Sequence, residues 1–244
     1  MSIVQHCLTP DWPAPANIKA LQTTRHGGFS AAPYTSFNLG SHVGDNPLVV
    51  ARNRMLLAPL MPSEPIWLQQ VHGVTVADAS HASCLPEADA CVSASKGAVC
   101  VVMTADCLPV LLCDESGSVV GAAHAGWRGL CDGVLEATVS AMKVPPGTLM
   151  AWLGPAIGPA AFEVGDEVRA AFVAKQPSAV AAFAARAEGK WLADIYMLAR
   201  LRLRSLGIER MYGGDFCTFN DTARFYSYRR EGVTGRMGTF IWLS

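Results

Sequence analysis

The chain has 244 residues, 51% of them hydrophobic and 16% charged, with a formal net charge of −1. That composition excludes a disordered chain, and it supplies enough apolar material for a sizeable core. The balanced charge offers no basic face for a nucleic-acid backbone.

In chain order, the opening MSIVQHCLTPDWPAPAN has neither a basic n-region nor an apolar h-region, so no signal peptide is expected. The segment IWLQQVHGVTVADA (66–79) predicts two strand pieces around Gly73. AVCVVMTA (98–105) and LPVLLCD (108–114) predict buried strands, ESGS a turn, and VVGAAHAG (119–126) a returning strand. The most apolar window, 98–113, is interrupted by Asp106 and Pro109, too short and broken for a membrane span. LCDGVLEATVSAMK (130–143) has helical spacing and ends before Pro145-Pro146; LMAWLGPAIG begins as a strand and runs into a Gly/Pro loop. VGDEVRAAFVAK and LADIYMLARLRLRSLGI predict helices, the second closed by Gly207. RFYSYRREGVTGRMGTFIWLS predicts a C-terminal hairpin turning at GVTG. Neither a repeat nor a low-complexity linker interrupts the chain, so one domain is expected over 1–244. Strands and helices mix without regular alternation, which favours an α+β or layered α/β fold with mixed sheets.

Eight cysteines at irregular spacings, without C-x-x-C, argue against a disulfide framework and for a reducing, cytoplasmic compartment. His72, Cys107 and His124 each stand at the end of an apolar run beside a flexible turn. Strand ends with such neighbours can present side chains to a cleft. Two imidazoles and a thiolate are a zinc donor set with one position open. Their spacing, 35 and 17 positions, matches no short metal motif, and a strand cysteine or histidine is equally a core residue. Asp106, inside an apolar run, needs a partner. His6 and His81 lie in segments without other chemistry and read as surface residues; His26 and His42 stay undecided.

AHAGWRGL places glycines where a strand yields to a helix, so free N–H groups with Arg128 could hold an anion; an ordinary glycine turn explains them equally. Arg25, Asn38, Asp45, Asn46 and Arg229 are further polar candidates in TTRHGGFS, SFNLGSHVGDNP and FYSYRR, where each also suits a turn.

TTRHGG, SFNLGSHVGDNP, QVHG, TADCLPVLL, HAGWRG and LGPAIGP, in this order, resemble the YfiH/PgeF family, also labelled laccase-domain or polyphenol oxidase. The resemblance covers roughly residue 10 to the end. It implies a four-layer α/β/β/α fold, similar to a deamidating toxin domain with a Cys–His pair. It also implies one zinc held by His72, Cys107 and His124. The implied activity is phosphorolysis of adenosine, inosine and S-methyl-5'-thioadenosine, with adenosine deaminase activity beside it. An alternative implied role is peptidoglycan editing: a Cys–His hydrolase, with Cys107 as nucleophile and His124 as base, removing misincorporated L-Ser from UDP-MurNAc-L-Ser.

For a phosphorylase, Arg25, Arg128 and Arg229 are the expected phosphate or substrate contacts, with Asn38 and Asp45 toward the sugar. The older name implies copper, which could substitute at the zinc site. A multicopper centre needs roughly ten histidines, and the chain has six. Deaminases of the zinc type use a glutamate proton shuttle in H-x-E, a motif this sequence lacks. The expected partners are small molecules, with no nucleic acid and no membrane. The oligomeric state is open, a monomer being sufficient.

Overall fold

The computed structural model describes residues 3–81, 85–187 and 189–244. Its strands are β1 (Cys7–Leu8), β2 (Ile18–Thr23), β3 (Val76–Asp78), β4 (Ala90–Ser93), β5 (Val99–Thr104), β6 (Leu108–Asp114), β7 (Val120–Ala125), β8 (Leu149–Leu153), β9 (Glu163–Gly165), β10 (Phe183–Ala185), β11 (Lys190–Ala193), β12 (Arg210–Gly213) and β13 (Met237–Leu243). The α-helices are α1 (Pro47–Met55), α2 (Trp127–Asp132), α3 (Val134–Met142), α4 (Asp166–Lys175), α5 (Ile195–Ser205) and α6 (Tyr228–Glu231).

A mixed six-stranded sheet runs β12-β8-β6-β7-β4-β3, and an antiparallel four-stranded sheet runs β1-β2-β13-β5. A small third sheet runs β10-β11-β9. Successive side chains of a strand face opposite ways, and here both faces are apolar. Leu108, Val110 and Leu112 of β6 pack against α3, α4 and α5, whereas Leu111 and Cys113 pack toward the other large sheet. In β5, Cys100 and Val102 fill the space between the sheets, and Val99, Val101 and Met103 face outward to Phe37, Leu57 and Trp67. The result is the expected α/β/β/α layering. Each fully buried aliphatic side chain contributes about 1.5–3 kcal/mol by leaving water. That burial fixes the strand ends where Cys107 and His124 sit.

Four expectations need correction. Residues 66–75 are not a strand but make isolated bridges, Ile66 with Cys100 and Gln69 with Glu87, before β3 begins. The N–H groups of Val71, His72 and Gly73 are taken by the Asp89 carboxylate, so they cannot enter a ladder. The helix expected over 130–143 begins at Trp127 and is divided by Gly133, whose φ of 110° suits glycine. Val164, Gly165, Leu192 and Ala193, expected in helices, are strand residues; Asp194 then caps α5 by accepting from the Met197 N–H.

The fourth correction is the C-terminal hairpin. Its first arm is α6, because Ser227 accepts from the Arg230 N–H and Asp106 accepts from the Arg229 N–H. Its second arm, β13, inserts between β2 and β5. No helix among the described residues is long and apolar enough to cross a membrane.

Candidate metal centre and adjoining cavities

Cys107 immediately precedes β6, and His124 lies on β7, where the antiparallel register sets it opposite Pro109. Sheet hydrogen bonds therefore fix both side chains at one end of the strand pair. His72 comes from the loop before β3 and has a φ of 63°, the left-handed region. The donor atoms of the three residues lie within 4.8 Å of one another, with Cys107 Sγ 3.9 Å from His72 Nε2. The two imidazole rings meet edge to face at 4.8 Å. Among the described residues no fourth His, Cys, Asp or Glu joins them.

The residue that assembles this group is Asp89, fully buried just before β4. Its Oδ2 accepts from the N–H groups of Val71 (3.1 Å) and Gly73 (2.7 Å), and its Oδ1 from that of His72 (2.9 Å). Three consecutive N–H groups around one carboxylate form a nest, which holds the His72 loop in its left-handed turn. Asp89 Oδ1 also lies 2.8 Å from His124 Nδ1. With Nδ1 donating there, Nε2 is the free donor atom of His124. Burial raises the Asp89 pKa, but these hydrogen bonds and the charge of His124 outweigh it and hold the carboxyl below its ordinary value.

Burial also raises the Cys107 pKa, yet the neighbouring His124 and His72 bring it down to about 6. Burial works against protonation of His124, and Cys107 and Asp89 overcome it, raising the pKa to about 9. Without metal the pair is a thiolate beside an imidazolium. Zinc bonds of about 2.0–2.3 Å to nitrogen and sulfur require donor separations of roughly 3.3–3.7 Å. The trio fits such an ion by donor type and stands within a small side-chain adjustment of chelation.

The glycines of HAGWRG have a steric reason. A Cβ on Gly126 would stand 2.9 Å from His72 Cδ2 and 3.1 Å from Cys107 Sγ, and one on Gly129 would stand 2.8 Å from the Gly73 carbonyl oxygen. Side-chain-free positions let the His72 loop close onto β7.

Two cavities meet at the cluster. One, of about 170 Å³, is mostly apolar, with Trp127, Ile157, Phe162, Ile195 and Tyr228 in its walls and Arg229 among them. The other, of about 400 Å³, is lined by the three donors together with His42, Thr104 and Arg236. Ala105, Cys107 and Tyr228 belong to both.

A profile of the family described as multi-copper polyphenol oxidoreductase laccase matches residues 19–244. The chain belongs to this family. Relatives of the laccase-type family include a protein named purine nucleoside phosphorylase from Pseudomonas aeruginosa, 58% identical over 97% of this chain and 98% of its own. The Escherichia coli protein named purine nucleoside phosphorylase YfiH is 54% identical with the same coverage. A solved Neisseria meningitidis structure superposes with a TM-score of 0.95 at 52% identity, covering 98% of this chain and 99% of that one. Although the laccase description speaks of several coppers, the described residues provide one three-donor cluster.

The remaining sequence candidates are dispersed. Arg25 pairs with Glu231 at 2.8 Å, and its guanidinium sits over the Tyr226 ring. Asn38 is fully buried, bonding Gly40 and the Arg236 N–H, and donates to Asp45 at 3.0 Å. Asp45 also accepts from Ser30 at 2.7 Å, so both hold the 30–46 loop together. Asn46 caps α1. Arg128 is exposed, its guanidinium over the Trp127 ring and outside both cavity linings. Arg229 donates from Nη1 to the Glu163 carbonyl at 2.8 Å beside the apolar cavity.

Asp106, at φ 92°, finds its partners in the Thr218 hydroxyl (2.6 Å) and the Arg229 N–H (2.7 Å). His81 is exposed, and His6 is half-buried beside His26, which contacts the Ala223 carbonyl. The seven described cysteines are free; Cys84 lies outside the described residues.

Sequence reasoning did not single out Asp89, Thr104, Tyr228 or Arg236. Asp89 carried one signal, an acid between alanines at the start of an apolar strand, the same pattern that drew notice to Asp106.

Proposed function

We propose that the protein is a zinc-dependent purine nucleoside phosphorylase acting on adenosine, inosine and S-methyl-5'-thioadenosine, with adenosine deamination as a side activity. The observation that carries this reading is the junction itself: a three-donor cluster opening at once onto a narrow apolar cavity and a wider polar one. Near-full-length relatives named purine nucleoside phosphorylase support it. The reading extends to a single unit over 1–244, working in the cytoplasm on small molecules.

In the reaction a phosphate oxygen bonds to C1′ as the C1′–N9 bond breaks. The bonding pair leaves with the purine, and the phosphate proton ends on the purine nitrogen, giving free base and ribose 1-phosphate. The apolar cavity takes the flat base against Trp127, Phe162 and Tyr228. Such stacking contributes about 1–3 kcal/mol per base. Arg229 supplies positive charge beside the departing base.

His72, Cys107 and His124 would hold the zinc, or copper as a substitute. A bound divalent ion supplies Lewis-acid stabilisation of developing negative charge. Asp89 orients the His124 ring and anchors the His72 backbone, so the two histidines are kept close to their donor positions.

The test is product analysis after incubating the zinc-loaded protein with adenosine and phosphate. Adenine with ribose 1-phosphate is expected, with a minor inosine fraction. Equal release of base without phosphate makes the protein a hydrolase instead.

A second reading rests on the Cys107–His124 pair, whose depressed thiol pKa suits a nucleophile. It makes the protein a hydrolase that removes L-Ser from UDP-MurNAc-L-Ser. Iodoacetamide separates the two: metal-free active protein inactivated by alkylation favours the hydrolase, and activity that requires zinc favours the phosphorylase.

A further inference from the structure

The sequence offered Arg25, Arg128 and Arg229 as phosphate ligands, yet the polar cavity is served by a different arginine. Arg236 reaches it from the turn before β13. Its backbone N–H donates to Asn38 Oδ1 at 2.9 Å, and Nη1 donates to the carbonyls of Thr234 and Gly235, both at 3.0 Å. Its stem crosses Gly40, where a Cβ would stand 2.9 Å from Arg236 Cγ. The side chain is thus held by two carbonyls at Nη1 and by Gly40 against its stem, while Nε and Nη2 have no hydrogen-bond partner among the described residues. No carboxylate among them pairs with it. A half-buried guanidinium with a free N–H edge is poised for a bidentate acceptor.

A second observation is independent of Arg236. Thr104, at the end of β5, is 1% exposed and lines the same cavity, and its Oγ1 has no hydrogen-bond partner. A buried hydroxyl left unpaired costs about 1–3 kcal/mol, and rotation about the Thr104 side chain that turns Oγ1 from beneath the wall toward a ligand oxygen would relieve that cost. Aspartate and glutamate are absent from the lining, which holds His42, His72 and His124 besides Arg236. Burial first, then the charges of Arg236, Arg54 and His124, holds His42 below its ordinary pKa.

We infer that this cavity is an oxyanion subsite in which Arg236 and Thr104 bind inorganic phosphate, across the metal cluster from the base. The inference rests on the phosphorylase reading for the identity of the anion; the anion chemistry itself follows from the lining. Arg236 contributes a fixed bidentate edge, Thr104 a hydroxyl, and His42 a neutral donor at the rim. The same cavity accepts sulfate as a competitor, because the contacts recognise a tetrahedral oxyanion.

The test is calorimetric titration of inorganic phosphate into the zinc-loaded protein without nucleoside, for wild type, Arg236→Met, Arg236→Lys and Thr104→Val, with zinc content checked for each. Losing a charge-assisted contact weakens binding roughly 10- to 150-fold. That loss is expected for Arg236→Met, and a smaller one for Arg236→Lys, which keeps the charge and loses the fork. Thr104→Val removes only the hydroxyl and is expected to weaken binding by about 2- to 10-fold. In turnover, the phosphate KM should rise in parallel while the nucleoside KM stays within about twofold, a split that a general loss of structure does not produce.

If Arg236→Met fails to fold, Arg236→Lys and Thr104→Val still read the site. Unchanged phosphate affinity in Arg236→Lys and Thr104→Val, or no phosphate binding by wild type, overturns the inference. Phosphate-dependent turnover indifferent to Arg236 also overturns it and leaves the phosphorylase reading intact. Arg236-dependent phosphate binding without nucleoside cleavage supports the subsite and removes the phosphorylase reading instead.

Discussion

His124 and His72 reach the same cluster by different means. His124 stands on β7, inside a six-stranded sheet, and its position follows from the register with β6. His72 stands in a loop outside any strand, in a left-handed conformation that a carboxylate nest maintains. Strand register is redundant, since many ladder hydrogen bonds specify one position. The loop depends on one side chain, Asp89, which also orients His124. A site half built on a sheet and half on a nest should fail asymmetrically, and four measurements test that.

The largest effect is expected from Cys107→Ala, which removes the donor from the sheet-fixed half. Zinc affinity should fall by more than the about 100-fold that an outer-shell change costs, with the fold intact because the core lies elsewhere. Metal analysis of the purified variant reads this; full zinc content would remove Cys107 from the donor set.

Asp89→Asn comes next. It keeps the shape while losing the charge and one acceptor, and it touches both histidines at once. Metal affinity is expected to fall about 10- to 100-fold. Competition with a chelator measures it, and an unchanged affinity would mean that the nest is not what positions His72.

The metal-free pair gives a pH prediction. Cys107 titrates near 6, so the thiolate is present above that pH, and the alkylation rate falls about tenfold per unit below it. An ordinary thiol, which ionises at about pH 8.5, would instead still gain rate from pH 7 to 9. The iodoacetamide rate of the metal-free protein against pH distinguishes the two curves, and zinc should suppress the reaction across the range.

Gly126→Ala is expected to have the smallest effect of the four. Its Cβ would enter the contact between the sheet half and the loop half, 2.9 Å from His72 Cδ2. Overpacking of this kind costs about 1–3 kcal/mol, read as a lowered denaturation midpoint with a modest loss of zinc affinity. A variant as stable as wild type would show that the loop gives way freely.

The sheet half was legible in the sequence because it obeys periodicity. LPVLLCD is β6 residue for residue, and VVGAAHAG contains β7, so Cys107 and His124 were placed at strand ends from pattern alone. The loop half was not. A nest is made of backbone N–H groups, which carry no residue signature, and its carboxylate lies 17 positions from His72. The same reason explains the C-terminal misreading. RFYSYRR alternates as a strand would, but Ser227 and Asp106 captured its N–H groups and made α6.

Alternation and composition made the strands and the mixed-sheet class legible, and the six linked motifs, by resemblance, pointed to the layered fold and to His72, Cys107 and His124 as candidate donors, because all of these are local properties of the chain. Which polar residues are free to face the cavities was settled by packing alone. Arg25, Asn38 and Asp45 are consumed in holding loops, whereas Arg236 and Thr104 keep unpaired atoms at the polar cavity wall. The physical reason is that a side chain's availability depends on which neighbours satisfy it, and those neighbours come from distant parts of the chain.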